Sequence, residues 1–299
     1  MALRDRAPAE GLSTGARPGP AGPALVLGAA TSVQFGAAVA VLLFDRVGPQ
    51  GAVLLRLALA AVMLLVLWRP SLRGHSPPQW RLVGLFGVAL AGMNGCYYAA
   101  IDRIPLGIAV TLEFVGPLGV ALAGSRRARD LVWVALAAAG IVALAEGTSG
   151  GLDALGAGLA VVAGGFWAAY ILLSARVGQA FDGGRGLALA MVVGAVVVLP
   201  VGLAQAGDAL LTPAALGLGL AVAVLSSAIP YSLELEALRR IPAAVFGVLM
   251  SLEPAVAALA GFLVLGQQLG SPQLAGIALV IAASAGATLS ARTGTPVLD

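Results

Sequence analysis

The chain has 299 residues, of which 60% are hydrophobic and only 10% are charged, and its mean hydropathy is +0.98. Soluble domains carry about 25% charged residues, so this composition excludes a soluble protein and predicts a polytopic membrane protein. All 17 basic residues are arginines, and most lie at the ends of apolar runs, so the net charge of +3 indicates membrane topology and not a nucleic-acid partner.

The predicted elements are membrane helices between two polar ends. Residues 1–22 carry arginine, proline and glycine without the apolar core of a signal peptide, and they are predicted to be a disordered cytoplasmic tail. Residues 292–299 are predicted to be a second cytoplasmic tail. A spanning helix needs about 20 apolar residues. The ten segments that qualify cover residues 24–44, 49–68, 80–101, 105–125, 130–146, 154–176, 186–205, 213–236, 242–264 and 271–291.

The arginines divide unequally between the two sides of the membrane. With ten spans, the side that carries both termini holds fourteen arginines, the other side holds only Arg46 and Arg103, and Arg56 lies within a span. Because positive residues in short loops are retained in the cytoplasm, both termini are predicted to be cytoplasmic. The protein is expected to be a multi-pass component of the cytoplasmic (inner) membrane.

An internal repeat relates the fourth and ninth spans. Residues 103–124, "RIPLGIAVTLEFVGPLGVALAG", align without a gap with residues 240–261, "RIPAAVFGVLMSLEPAVAALAG", at an offset of 137. Both segments share an Arg-Ile-Pro start, a proline in mid-span and a terminal glycine. The repeat unit therefore contains five helices, and an odd number of spans inserts the second unit the other way up.

The predicted fold is thus an all-α integral membrane protein with ten transmembrane helices in two inverted five-helix repeats, residues 23–146 and 147–291. Inverted repeats are typical of secondary transporters, in which the substrate site lies near the midplane between the halves. Pro117 and Pro254 are predicted to bend the related spans, because proline removes a backbone donor.

Three ionisable side chains lie at membrane depth. Glu113 in the fourth span and Glu253 in the ninth lie near the middle of the bilayer, where a charge costs on the order of 2.5–3.5 kcal/mol. A cation, a wet hydrogen-bonding cavity or a bound proton must offset this cost. Arg56 is predicted to pair with one glutamate or with a substrate carboxylate. The alternative is that Arg56 and a glutamate only lock helices together.

Polar and aromatic side chains extend this candidate site. Asn94 and Tyr98 are spaced i, i+4 and share a helix face. Trp167 and Tyr170 are aromatic candidates, and the alternative for them is a role as anchors at the membrane interface. The predicted substrate-binding or coupling residues are Arg56, Asn94, Tyr98, Glu113, Trp167, Tyr170, Tyr231 and Glu253.

Glu234 and Glu236 lie near the cytoplasmic end of the eighth span, beside Arg239 and Arg240. A solvated salt bridge is predicted for both glutamates.

Enzyme chemistry has no support in the sequence. The chain has one cysteine, Cys96, one histidine, His75, and no lysine, so it offers no Cys/His cluster and no phosphate loop ending in lysine. No enzyme activity, metal or cofactor is predicted. A purely structural membrane subunit would leave the inverted repeat and the midplane carboxylates unexplained.

Two long runs carry a family resemblance. Residues 94–134, "NGCYYAAIDRIPLGIAVTLEFVGPLGVALAGSRRARDLVWV", and residues 223–269, "AVLSSAIPYSLELEALRRIPAAVFGVLMSLEPAVAALAGFLVLGQQL", resemble the EamA branch of the drug/metabolite transporter superfamily. Within that branch they are similar to the inner-membrane threonine and homoserine exporters. The pattern P-L-G-I-A-V-x-L-E-F-x-G-P-L and the pattern M-S-x-E-P-A carry this likeness.

The resemblance implies a ten-helix basket around a central cavity that exports small neutral amino acids in exchange for protons. It implies an amino acid, protons and the lipid bilayer as partners, and it does not specify an oligomeric state. An amino acid zwitterion needs a donor and an acceptor in one pocket. The alternative within the superfamily is an exporter of drug cations or other metabolites.

Overall fold

The computed structural model describes residues 21–123, 131–146 and 151–292, and these ranges contain helices and no β-strand. The α-helices in chain order are α1 (Ala21–Trp68), α2 (Pro77–Ile101), α3 (Leu106–Glu113), α4 (Val115–Ala123), α5 (Leu131–Glu146), α6 (Ala154–Ala180), α7 (Arg185–Ala206), α8 (Pro213–Ala223), α9 (Ile229–Leu238), α10 (Ala243–Met250), α11 (Glu253–Leu265) and α12 (Ser271–Arg292).

Eight helical stretches are long and apolar enough to cross a membrane. A shorter apolar helix covers Leu131–Leu144. The all-α, multi-pass membrane class predicted from composition is therefore confirmed. The eight stretches are Ala21–Trp68, Pro77–Ile101, Leu106–Ala123, Ala154–Ala180, Arg185–Leu211, Pro213–Glu234, Val245–Leu265 and Ser271–Ser290.

Helix α1 contains 48 residues and is interrupted at Gly48, where φ is 67° and ψ is 169°. An unbroken helix of that length would be about 72 Å long, more than twice the thickness of a bilayer core. Pro49 follows and begins the second arm in the position that proline favours. A Cβ atom on residue 48 would collide with the Gln205 side chain, and Gln205 Oε1 accepts a 2.7 Å hydrogen bond from the Gln50 N–H.

The fourth and ninth predicted spans are each interrupted close to the proline. Helix α3 ends at Glu113 and α10 ends at Met250, and the residues that follow have nearly the same backbone angles, φ −63° and ψ −13° at Phe114 and φ −61° and ψ −13° at Ser251. The interruptions precede Pro117 and Pro254 because a proline deprives the carbonyl four residues earlier of its donor.

Small residues allow the helices to pack closely. Helix α2 packs against α6 and α7, α1 against α7, α8, α9 and α11, and α5 against α12. Gly164 of α6 lies so close to α3 that an added Cβ atom would collide with the Glu113 carbonyl oxygen. Such contacts are typical of membrane helix interfaces. Large apolar side chains such as Val66 and Leu263 face outward, as lipid-exposed positions do.

The ion pairs among the described residues lie at the ends of helices. Arg103 lies 3.5 Å from Asp153, whose side chain caps α6 by accepting a 2.6 Å hydrogen bond from the Gly156 N–H. That N–H, with the neighbouring guanidinium, holds the pKa of Asp153 below its usual value. Glu236 pairs with Arg240 at 2.6 Å and with Arg239 at 3.4 Å, which confirms the surface salt bridge predicted for Glu236.

Candidate functional site

A cavity of about 140 Å³ lies between α1, α2, α3, α6, α9, α10 and α11. It is lined by the buried charged residues Arg56, Glu113 and Glu253. The lining residues are Val33, Gln34, Arg56, Met93, Asn94, Tyr97, Glu113, Trp167, Tyr170, Ser226, Pro230, Glu234, Met250 and Glu253.

Arg56 supplies the positive charge of this cavity. It lies on the second arm of α1 and only 8% of its surface is exposed. Its guanidinium donates through Nη1 to the Tyr98 hydroxyl and through Nη2 to the Ser226 carbonyl, both at 3.3 Å. The Cζ atom lies 5.6 Å from the centroid of the Tyr98 ring, within the range of a cation–π contact. The planar guanidinium is thus held by neighbours on two other helical segments.

The carbonyl that holds Arg56 is available because of a local departure from α-helical geometry. Residues Val224–Ala228 form a π-helical turn, in which the Ile229 N–H donates to the Val224 carbonyl. Pro230 has no N–H to offer the Ser226 carbonyl four residues earlier. The adjacent Leu225 carbonyl accepts a 2.6 Å hydrogen bond from Ser32 Oγ. The π turn and the proline therefore release two carbonyls for side chains of α1.

Three carboxylates line the same cavity. Glu113 is the last residue of α3 and Glu253 is the first residue of α11, with 7% and 4% of their surfaces exposed. Gln34 donates through Nε2 to Glu253 Oε2 at 3.4 Å. The third carboxylate is Glu234 of α9. The salt bridge predicted for Glu234 is wrong, because the turn of α9 directs Glu236 to the arginines and Glu234 to the cavity.

Aromatic packing fixes the α6 side of the cavity. Trp167 meets Phe114 edge to face with ring centroids 5.0 Å apart, and Tyr170 stacks on Phe86 at 5.1 Å. These contacts restrict both rings to orientations that face the cavity. The amide of Asn94 donates to the Leu90 carbonyl at 2.8 Å, so its nitrogen is committed to its own helix.

The structure brings together most of the predicted site. Tyr98 is not a lining residue but contacts two residues that are, Arg56 and Tyr97. The side chain of Tyr231 lies outside the described residues. The predicted residues that line the cavity are Arg56, Asn94, Glu113, Trp167, Tyr170 and Glu253.

The sequence-based prediction missed Pro230 and placed neither Gln34 nor Glu234 in the site. A signal for Pro230 was present, because it is a proline inside a predicted span, three residues after Ser227.

Several buried polar atoms of the cavity have no hydrogen-bond partner within the described part of the chain. They are Gln34 Oε1, the Tyr97 hydroxyl and Ser226 Oγ. Buried polar groups normally have hydrogen-bond partners, so these atoms indicate a cavity that can bind a polar ligand. The donors and acceptors present suit a small molecule that carries both a negative and a positive group.

Comparisons with known proteins agree with this picture. Residues 154–289 match the model of the EamA-like transporter family. The threonine/homoserine exporter RhtA of Salmonella typhimurium (strain SL1344) is 46% identical over 90% of this chain and 91% of its own length, and that of Escherichia coli (strain K12) is 45% identical over the same shares. The uncharacterized transporter YwfM of Bacillus subtilis (strain 168) is 28% identical over 74% of this chain and 77% of its own length.

One solved crystal structure has a similar fold, with a TM-score of 0.62 at 17% identity, over 90% of this chain and 98% of that chain. The transporter class predicted from the sequence, as opposed to an enzyme, is confirmed by the relatives. The chain belongs to the EamA-like transporter family.

Proposed function

We propose that this protein is a secondary active transporter that exports small neutral amino acids, of the threonine and homoserine kind, across the cytoplasmic membrane in exchange for protons. The observation that carries the proposal is one small cavity in which Arg56 faces the carboxylates Glu113 and Glu253. The relatives that are 45–46% identical over nearly the whole chain are named threonine/homoserine exporters, which supports the same substrate class here.

The proposed binding mode matches each charge of the zwitterion to one side of the cavity. The substrate carboxylate binds Arg56, which presents donors in a planar fork. The substrate ammonium binds Glu113 or Glu253. A carboxylate that holds either a proton or an ammonium group cannot hold both, so competition for it couples export to proton entry.

Cavity size favours an amino acid over a drug. Pockets that enclose drug-sized molecules measure about 300–1,000 Å³, whereas this cavity measures about 140 Å³. A lipophilic drug cation, the alternative within the superfamily, would also bring no carboxylate to bind the guanidinium of Arg56.

Alternating access between two inverted five-helix halves is the proposed transport cycle. The break at Gly48 divides α1 into two arms of spanning length, and α5 supplies a further short span, which supports ten spans. Helices α3 and α10 have eight residues each and end at positions 137 apart, which supports the repeat. Arg103 and Asp153 pair across the proposed boundary between the halves, which supports a topology with the two loops on the same side of the membrane.

The proposal is tested by loading cells that express the protein with a threonine-containing dipeptide and following threonine and homoserine outside over time. Efflux should exceed that from empty-vector cells and should stop when a protonophore is added. Efflux equal to the control, with the protein present in the membrane, would exclude this substrate class and direct the search to drug cations and other metabolites.

A further inference from the structure

The charges of the cavity do not balance for a neutral amino acid. Among the described residues that line it there is one guanidinium, on Arg56, and there are three carboxylates, on Glu113, Glu234 and Glu253. A zwitterion adds one positive and one negative charge and leaves the imbalance unchanged. In the proposed cycle one carboxylate pairs with the substrate ammonium and another can carry the exchanged proton, so the third is an acceptor in a low-dielectric site that such a substrate does not use.

Glu234 is the carboxylate without an assigned role. It makes no hydrogen bond and no ion pair with the described residues, although Glu236 two positions later is paired twice. It lies eight residues after Ser226, the residue whose carbonyl holds Arg56, and therefore about 12 Å further along the helix. Glu234 and Arg56 thus line the cavity at different depths.

Unpaired acceptors accompany Glu234. Gln34 is 2% exposed, its Nε2 is committed to Glu253, and its Oε1 has no partner within the described part of the chain. An amide oxygen and two carboxylates therefore line the region around Gln34, Glu234 and Glu253, and all of them accept hydrogen bonds. An ammonium group, with three donors, is the complement of such a set.

We infer that the transporter also exports short diamino acids, whose side-chain ammonium is bound by Glu234. This inference rests on the proposed export of homoserine-like amino acids. The four-carbon compound 2,4-diaminobutyrate has the skeleton of homoserine with an ammonium in place of the terminal hydroxyl, so it fits the same small volume. Its α-carboxylate and α-ammonium bind as those of homoserine do, and the extra positive charge offsets a carboxylate that homoserine leaves uncompensated.

The test measures export of homoserine and of 2,4-diaminobutyrate by the full-length protein in proteoliposomes loaded with either compound. The wild-type protein should export both. Glu234→Gln should lower the rate ratio of diaminobutyrate to homoserine at least about tenfold, because it removes the charged partner of the second ammonium within the cavity. The matched control is Glu236→Gln, which changes an exposed glutamate on the same helix and should leave the ratio unchanged.

Each other outcome is decisive. Export of homoserine without diaminobutyrate would overturn the inference and leave the proposed function intact, and this result needs no variant to fold. Export of neither compound would overturn both. Export of both with an unchanged ratio in Glu234→Gln would remove Glu234 from the recognition of the second ammonium.

Discussion

At the scale of single residues, the site depends on how Arg56 is held. A guanidinium at membrane depth is costly unless hydrogen bonds and opposite charge compensate it. Hydrogen bonds to the Tyr98 hydroxyl and the Ser226 carbonyl, with a cation–π contact to the Tyr98 ring, stabilise Arg56 there. These contacts leave the planar group oriented toward the cavity that it lines.

Arg56→Lys should raise the KM for threonine at least about tenfold while the protein remains folded in the membrane. Lysine keeps the charge but has no planar fork to bridge two acceptors and face a substrate carboxylate. Initial export rates over a threonine series measure the effect. Arg46→Lys, at an exposed arginine on the same helix, is the control, and an unchanged KM in Arg56→Lys would exclude Arg56 from substrate binding.

Glu113→Gln and Glu253→Gln should each lower the maximal export rate at least about tenfold without reducing the amount of protein in the membrane. Glutamine has nearly the same shape, but it neither carries a proton nor pairs with an ammonium. Export at saturating threonine, normalised to membrane abundance, measures this loss. Normal rates in both variants, alongside the exposed control Glu236→Gln, would remove the two carboxylates from the mechanism.

At the scale of elements, prolines and glycines determine which backbone carbonyls are free to bind side chains of the site and how closely helices approach it. Pro230 and the π turn release carbonyls in the segment between α8 and α9, and one of these carbonyls holds Arg56. On the opposite side, Gly164 of α6 packs directly against the backbone of Glu113. The positions of Arg56 and Glu113 therefore depend on the backbone of neighbouring helical segments.

Pro230→Ala should raise the KM for threonine by roughly two- to tenfold. Alanine restores an N–H that competes for the Ser226 carbonyl, and one hydrogen bond contributes about 0.5–1.5 kcal/mol. The control is Pro200→Ala, which changes an exposed proline inside α7. Equal KM values for the two variants would show that the freed carbonyl does not position Arg56.

Gly164→Ala should destabilise the protein by about 1–3 kcal/mol, the usual cost of an added methyl group in a filled interface, and should also impair export. The neighbouring variant Gly165→Ala is the control, because a Cβ atom there meets nothing within 4 Å. Thermal unfolding in detergent compares them. A Gly164→Ala protein as stable as Gly165→Ala would contradict the close contact at Glu113.

At the scale of the whole molecule, apolar length and arginine distribution make much of the helical architecture readable from the sequence, because the bilayer imposes both. The predicted segments 154–176 and 271–291 lie within α6 and α12. The direction of a side chain was harder to predict. The π turn rotates the helix that follows it, so neither the cavity position of Glu234 nor the contact between Arg56 and Ser226 follows from spacing alone.

Membrane topology can be tested with single cysteines in a Cys96→Ala background. A cysteine in place of Asp208 should react with a membrane-impermeant thiol reagent in intact cells, and one in place of Ser71 should react only after the cells are opened. Both residues are exposed, and the arginine distribution predicts that they lie on opposite sides of the membrane. The reverse pattern would contradict the proposed orientation.

The measurement that tests the central claim most directly is proton movement coupled to amino acid export from purified protein. Proteoliposomes are loaded with threonine and a pH-sensitive dye, and threonine release and internal pH are followed together. We expect the interior to acidify as threonine leaves, and we expect both signals to disappear in Glu113→Gln. Threonine release without any change in internal pH would contradict proton exchange, and no release would contradict amino acid export itself.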